Sequence, residues 1–156
     1  MSDLDFPDDI EEIDVSDKGL THLDVSRFKN LKRLYCFKNN LTSLHLNEKL
    51  ELLYCYRNQL TSLRFNENLK EIICDYNQLT SLQLNKKLQK LYCSYNKLIY
   101  LHLNENLETL YCHDNQLTSL HLNEKLKTID YDENPIFEII KSDDKYIINQ
   151  KLRVLN

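Results

Sequence analysis

Residues 31–49 read LKRLYCFKNNLTSLHLNEK, and near copies of that line begin again at Leu50, Leu69, Leu88 and Leu107. Cys36, Cys55, Cys74, Cys93 and Cys112 are each 19 residues apart, as are Asn39, Asn58, Asn77, Asn96 and Asn115. A fixed period of this length marks a solenoid, in which each repeat buries its apolar side against the next. On one flank, Ile10-x-x-Ile13-x-Val15 opens a divergent unit of 21 residues; on the other, Leu126-x-x-Ile129-x-Tyr131-x-x-Asn134-x-Ile136 restates the line with Tyr in the Cys position. Seven rungs over residues 10–136 are therefore expected, five of them full 19-residue repeats at 31–125.

Side-chain alternation orients each rung. In Arg33-Leu34-Tyr35-Cys36-Phe37, a period of two sends Leu34 and Cys36 to the core and Arg33, Tyr35 and Phe37 outward, so a short strand is predicted that stacks in parallel on its neighbours. The Asn column, Asn39, Asn58, Asn77, Asn96, Asn115 and Asn134, comes next. A buried amide must satisfy two N–H donors and a carbonyl, which a ladder of bonds to adjacent turns would do. Leu41-Thr42-Ser43-Leu44-His45-Leu46 then forms the return side. Nineteen residues leave no room there for a helix, and the wealth of Thr, Tyr, Ile and Leu favours extended structure. Asn47, Asn66, Asn85, Asn104 and Asn123 are expected at the second corner, because Asn tolerates turn conformations.

The shared pattern L-x-x-L-x-C-x-x-N-x-L-x-x-L-x-L-N resembles the leucine-rich repeat family, whose signature is L-x-x-L-x-L-x-x-N/C-x-L. The resemblance implies a mostly β solenoid with short parallel strands on an inner, concave face, and protein binding on that face. Repeats this short are similar to those of bacteria and of giant DNA viruses; a viral protein of this kind would act in the host cytoplasm.

Composition fits one compact unit. The chain has 156 residues, 42% apolar and 28% charged, with no apolar run long enough to cross a bilayer as a helix. Residues 1–9 lack the basic and apolar regions of a secretory signal, so an intracellular, cytoplasmic location is expected. The five cysteines agree: their number is odd, and parallel strands point them the same way, which suits packing as reduced core thiols better than disulfides. Residues 1–17 hold eight acids and no base, against 16 acids and 20 bases in the remainder. We expect residues 1–9 to form an acidic N-terminal cap, with Phe6 and Pro7 against the first rung. Residues 137–156 are expected to form a C-terminal cap with a helix from Ser142, or else an element of self-association.

Inward residues are accounted for by packing, so function is sought in the outward columns. Tyr35, Tyr54, Tyr92 and Tyr111 share one column, with Ile73 between them. Phe37 and Tyr56 open the next, followed by Asp75, Ser94 and His113. Lys38 and Arg57 open a third, followed by Tyr76, Tyr95 and Asp114, and all three are expected on the inner strand face. Tyr and Arg are enriched at protein interfaces, so Arg33, Tyr35, Phe37, Lys38, Tyr54, Tyr56, Arg57, Tyr92 and Tyr111 are the candidate partner-binding residues. Tyrosines one rung apart would also stabilise the sheet by stacking alone.

Enzymatic chemistry finds no footing. A single glycine, Gly19, rules out a glycine-rich phosphate loop, and Ser and Thr occur chiefly as the repeated Thr-Ser pair. His45, His102 and His121 share a return-side column without a third ligand, so no metal and no cofactor are expected. The expected function is a protein–protein interaction module; the alternative is a structural unit that dimerises or stacks through a solenoid end. Nucleic acid is an unlikely partner for a chain of net charge −4, and no membrane partner is indicated.

Overall fold

The computed structural model describes residues 5–136 and 138–141. Eleven short strands follow one another: β1 Glu12–Asp14, β2 His22–Asp24, β3 Arg33–Tyr35, β4 Ser43–His45, β5 Leu52–Tyr54, β6 Glu71–Ile73, β7 Lys90–Tyr92, β8 Thr109–Tyr111, β9 Ser119–Leu122, β10 Thr128–Asp130 and β11 Glu138–Lys141. β1, β3, β5, β6, β7, β8 and β10 form one seven-stranded sheet in that order, parallel throughout. Its register matches like positions of successive repeats, such as Leu34 with Leu53 and Tyr35 with Tyr54.

The return side is extended, as the repeat length requires. β2 pairs with β4 and β9 with β11, while single bridges join Arg64 to Gln83 and His102 to His121. There is no helix among the described residues. Most of the expected C-terminal cap lies outside them; the part described, β11, is a strand on the return side of the last rung.

The core is the space between the two sides. Leu34, Leu53, Ile72, Leu91 and Leu110 from the strands, the five cysteines, and Leu41, Leu60, Leu79, Leu98 and Leu117 from the return side are all fully buried. Leu31, Leu50, Leu69, Leu88 and Leu107 fill the second corner. The ends take different residues at the Cys position, Val15 at the first rung and Tyr131 at the last, both buried. Near the start, Phe6 packs edge-on against buried Phe28 at 6.3 Å, and Asp8 accepts a bond from Arg27. Burial pushes the thiol pKa values of Cys36, Cys55, Cys74 and Cys93 well up, which keeps them protonated and unreactive.

Charges at the strand starts, and at the residue just before them, pair from rung to rung and neutralise one another within the chain. Lys32 pairs with Glu11, Lys70 with Glu51, Lys127 with Glu108, Arg33 with Glu12 and Lys90 with Glu71. Each exposed pair contributes little on its own, because water and salt screen it. Together they favour this register, because a shift of one rung would put like charges side by side.

Both corners depend on asparagine. At the first, Asn58 Nδ2 donates to the carbonyls of Cys36 and Cys55 while its Oδ1 accepts from Leu41 N–H, and Asn77, Asn96, Asn115 and Asn134 repeat the arrangement one rung on each time. Asn39 does the same for Val15 and Cys36, accepting from Lys18 and Leu20. The Asn47 column stands at the second corner. No residue of it has a positive φ; instead its amides reach back one rung, Asn66 to the carbonyls of Asn47 and Leu50, Asn85 to those of Asn66 and Leu69.

The left-handed conformation occurs at the first corner. Asp17, Lys38, Arg57, Tyr76, Tyr95, Asp114 and Glu133 all have φ between 51° and 56°. Each costs about 1–2 kcal/mol relative to ordinary helical or extended backbone. The turn is fixed by the buried asparagine that follows each of Lys38 to Glu133 and by N–H donation to the next rung, as from Arg57 N to Asp75 O at 2.9 Å.

Candidate interaction face

Three outward columns run from the seven-stranded sheet to the first corner, and the structure distributes the sequence-derived candidates among them. Arg33 lies at the start of β3, paired with Glu12, and so is already neutralised. Tyr35, Tyr54, Tyr92 and Tyr111 end their strands in register. Tyr35 meets Tyr54 edge-on with centroids 5.3 Å apart, and Tyr92 stacks on Tyr111 at 5.1 Å. Tyr54 donates to Glu71 Oε1 at 2.8 Å; burial first and this bond second push its pKa up to about 12.

One column further, Phe37 stacks flat on Tyr56, centroids 4.6 Å apart. These positions lie just beyond the strand ends. Asp75 follows, half-buried, accepting from Ser94 N–H at 2.7 Å. Its carboxyl is pushed up to about 6, chiefly by burial, against the opposing effects of the Ser94 bond and of His113. Ser94 is buried and its hydroxyl oxygen has no partner among the described residues.

The third column is not on the strands. Lys38 and Arg57 were expected on the inner face; their positive φ places them at the corner, where the chain has already turned away from the sheet. Arg57 lies over the ring of Tyr76 at 5.4 Å, and Tyr76 stacks on Tyr95 at 4.2 Å. Between this corner and the sheet is an open hollow of about 400 Å³ lined by Lys38, Tyr56, Arg57, Ile73, Asp75 and Tyr76.

The structure thus gathers Phe37, Lys38, Tyr56 and Arg57 around one end of the face and leaves Tyr92 and Tyr111 two rungs further along it. Ile73, Asp75 and Tyr76 were not among the candidates. The signal for them was the third repeat's departure from its neighbours, Ile for Tyr and Asp for an aromatic residue. A similar departure went unread on the return side, where Ile99 and Tyr100 replace the usual Thr-Ser and are each 53% exposed. Among the described residues, no three His, Cys, Asp or Glu side chains gather where they could hold a metal ion.

No family model matches the chain and no curated protein matches it. Two solved structures, both of leucine-rich repeat proteins, share its fold. YopM from Yersinia enterocolitica WA-314 superposes with a TM-score of 0.73 at 26% identity, over 83% of this chain and 35% of that one. The functional domain of InlJ from Listeria monocytogenes, which includes a cysteine ladder, superposes with a TM-score of 0.60 at 27% identity, over 81% and 35%. This chain therefore spans about a third of the length of each.

Proposed function

Because the chain is a leucine-rich repeat solenoid of a short type, we propose that it is a protein–protein interaction module whose partner lies on the strand face. The observation that carries this reading is the run of half-exposed packed rings, Tyr35 edge-on to Tyr54 and Phe37 stacked on Tyr56, beside a hollow with two cations on its wall. Rings held by their neighbours lose little entropy on binding and offer a broad apolar body with a polar tip. Asp75 supports the same reading. A carboxylate kept where burial disfavours its charge costs stability, and such groups cluster at functional sites. The repeated amide bonds at both corners would hold the face rigid, so a partner would meet a preformed surface. The buried thiols suit a reducing, intracellular compartment.

The test is a displayed library of random peptides, selected on the full chain and counter-screened on Tyr35→Ala/Tyr56→Ala. Selected peptides should carry an apolar residue beside an acidic one, and lose at least about tenfold in affinity on the double variant. Peptides that bind both forms equally would overturn the strand-face reading.

A further inference from the structure

From the first full repeat onward the first-corner residues form one largely exposed column, Lys38, Arg57, Tyr76, Tyr95, Asp114 and Glu133, with Asp17 ahead of it on the divergent first rung. Its charge is sorted, two cations, then two tyrosines, then two carboxylates. Along the strands the opposite holds, since Glu11 neutralises Lys32 and Glu51 neutralises Lys70 one rung away. In the corner column neighbours one rung apart have like charge, Lys38 beside Arg57 and Asp114 beside Glu133, an arrangement that disfavours folding. Lys38, Arg57 and Glu133 make no ion pair among the described residues, and Asp114 has only His113, at 2.8 Å. Within the described fold, Arg57 over the Tyr76 ring, the His113–Asp114 pair and Asp17 one rung before Lys38 offset part of this cost.

A column that reads plus, plus, Tyr, Tyr, minus, minus is its own complement when turned end for end. A two-fold axis between Tyr76 and Tyr95 sets Arg57 of one copy against Asp114 of the other and Lys38 against Glu133, each pair made twice, with the tyrosines at the centre. Tyr76 and Tyr95 are 45% and 39% exposed and already stacked, which suits a central aromatic anchor ringed by charge. The columns on either side allow the same docking. The axis sets Gln78 opposite Lys97 and Gln59 opposite Gln116 on one side, and Asp75 opposite Ser94 and Tyr56 opposite His113 on the other, so no like charges meet.

We propose that this column is the contact through which two copies of the chain associate side by side and antiparallel. The proposal goes beyond the strand-face reading: it shares Lys38, Arg57 and Tyr76 with the wall of the hollow but does not use the tyrosines at the strand ends. One column buries less than a standard interface, so the dimer is weak, reversible and salt-sensitive.

The test is sedimentation equilibrium of the full chain over a concentration series at low salt. The wild type should show a monomer–dimer equilibrium. Arg57→Asp and Asp114→Arg should each weaken it at least about tenfold, since each turns two attractions into repulsions. The double swap should restore association, and so should mixing the two single variants, whose columns complement one another. The swaps ask nothing new of the backbone, because Arg and Asp already occupy this corner at φ 56° and 51°. If either variant fails to fold, Lys38→Glu and Glu133→Lys make the same comparison. A wild type that stays monomeric throughout, or a dimer indifferent to both single reversals, would overturn the proposal. Either result leaves the peptide test of the strand face untouched.

Discussion

Each full rung turns two corners on a largely buried asparagine, and the two asparagines bind different things. At the first corner both ends of the amide reach across to the neighbouring rung: Asn77 donates to Cys55 O and accepts from Leu60 N–H, besides donating to Cys74 of its own rung. At the second only the donors cross. Asn85 donates to Asn66 O and Leu69 O, while its Oδ1 accepts from Lys87 and Leu88 within its own turn. At two rungs of the second column that oxygen has no partner among the described residues, on Asn47 and Asn123. The first corner therefore links rung to rung in both directions, and the second mainly shapes a local turn. The same residue type repeated at the same period is thus no guide to how much each copy contributes.

The largest expected effect tests that contrast directly. Asn77→Leu leaves Leu60 N–H without an acceptor and takes one bond each from Cys55 O and Cys74 O, so a loss of about 4 kcal/mol is expected in urea unfolding. Asn85→Leu strands the N–H of buried Leu88, but the other N–H it served is on exposed Lys87, where water can replace the acceptor, so a smaller loss of about 2 kcal/mol is expected by the same measure. Equal losses at the two sites would break the comparison.

A third variant probes the electrostatics of the first corner. The pKa of Asp75 in the folded chain, about 6, lies above its ordinary value of 3.8. Between those values the folded state holds more protons than the unfolded one, so this group makes stability fall as pH rises from about 4 to 6 and constant above. Asp75→Asn keeps an acceptor for Ser94 N–H and removes the buried charge. It should raise stability at pH 7 by about 1–2 kcal/mol, after allowance for partial exposure, and should gain nothing at pH 4. A variant whose advantage does not shrink on acidification would show that the carboxylate is not the cause.

The smallest effect concerns the left-handed backbone that only the first corner requires. Asp17→Gly removes the cost of a side chain at φ 56° and stacks on no ring, so it should add about 0.5–1 kcal/mol, read as a rise of a few degrees in melting temperature. The corresponding change at the second corner, Glu48→Gly, meets no positive φ and should lower stability slightly.

These contrasts also separate what the sequence could tell from what it could not. The repeat, the strand positions, the inward leucines and cysteines and the extended return side follow from a period of 19 and an alternation of two, and those regularities are local. The corner conformations are not local in that sense. Glycine usually announces a positive φ, yet here Lys, Arg, Tyr, Asp and Glu hold it, because the asparagine that follows fixes the turn from inside the core. With glycine missing as a marker, Lys38 and Arg57 read as strand residues. The hollow beside Asp75 was also hidden, since it arises where one repeat departs from its neighbours, while the periodic reading attends to what the repeats share.

The buried cysteine column has a use of its own. Cys36, Cys55, Cys74 and Cys93 sit one to a rung at equivalent positions, fully buried, with thiols held protonated. A thiol reagent can reach each only when its own rung opens, so the four are internal clocks for local unfolding, read in one labelling experiment by mass. In a stack where each rung touches only its neighbours, opening spreads inward from the ends. Cys36 should then be labelled before Cys55, and Cys74 should be the slowest or share that place with a neighbour, which would turn a packing device into a ruler for where the solenoid begins to fray.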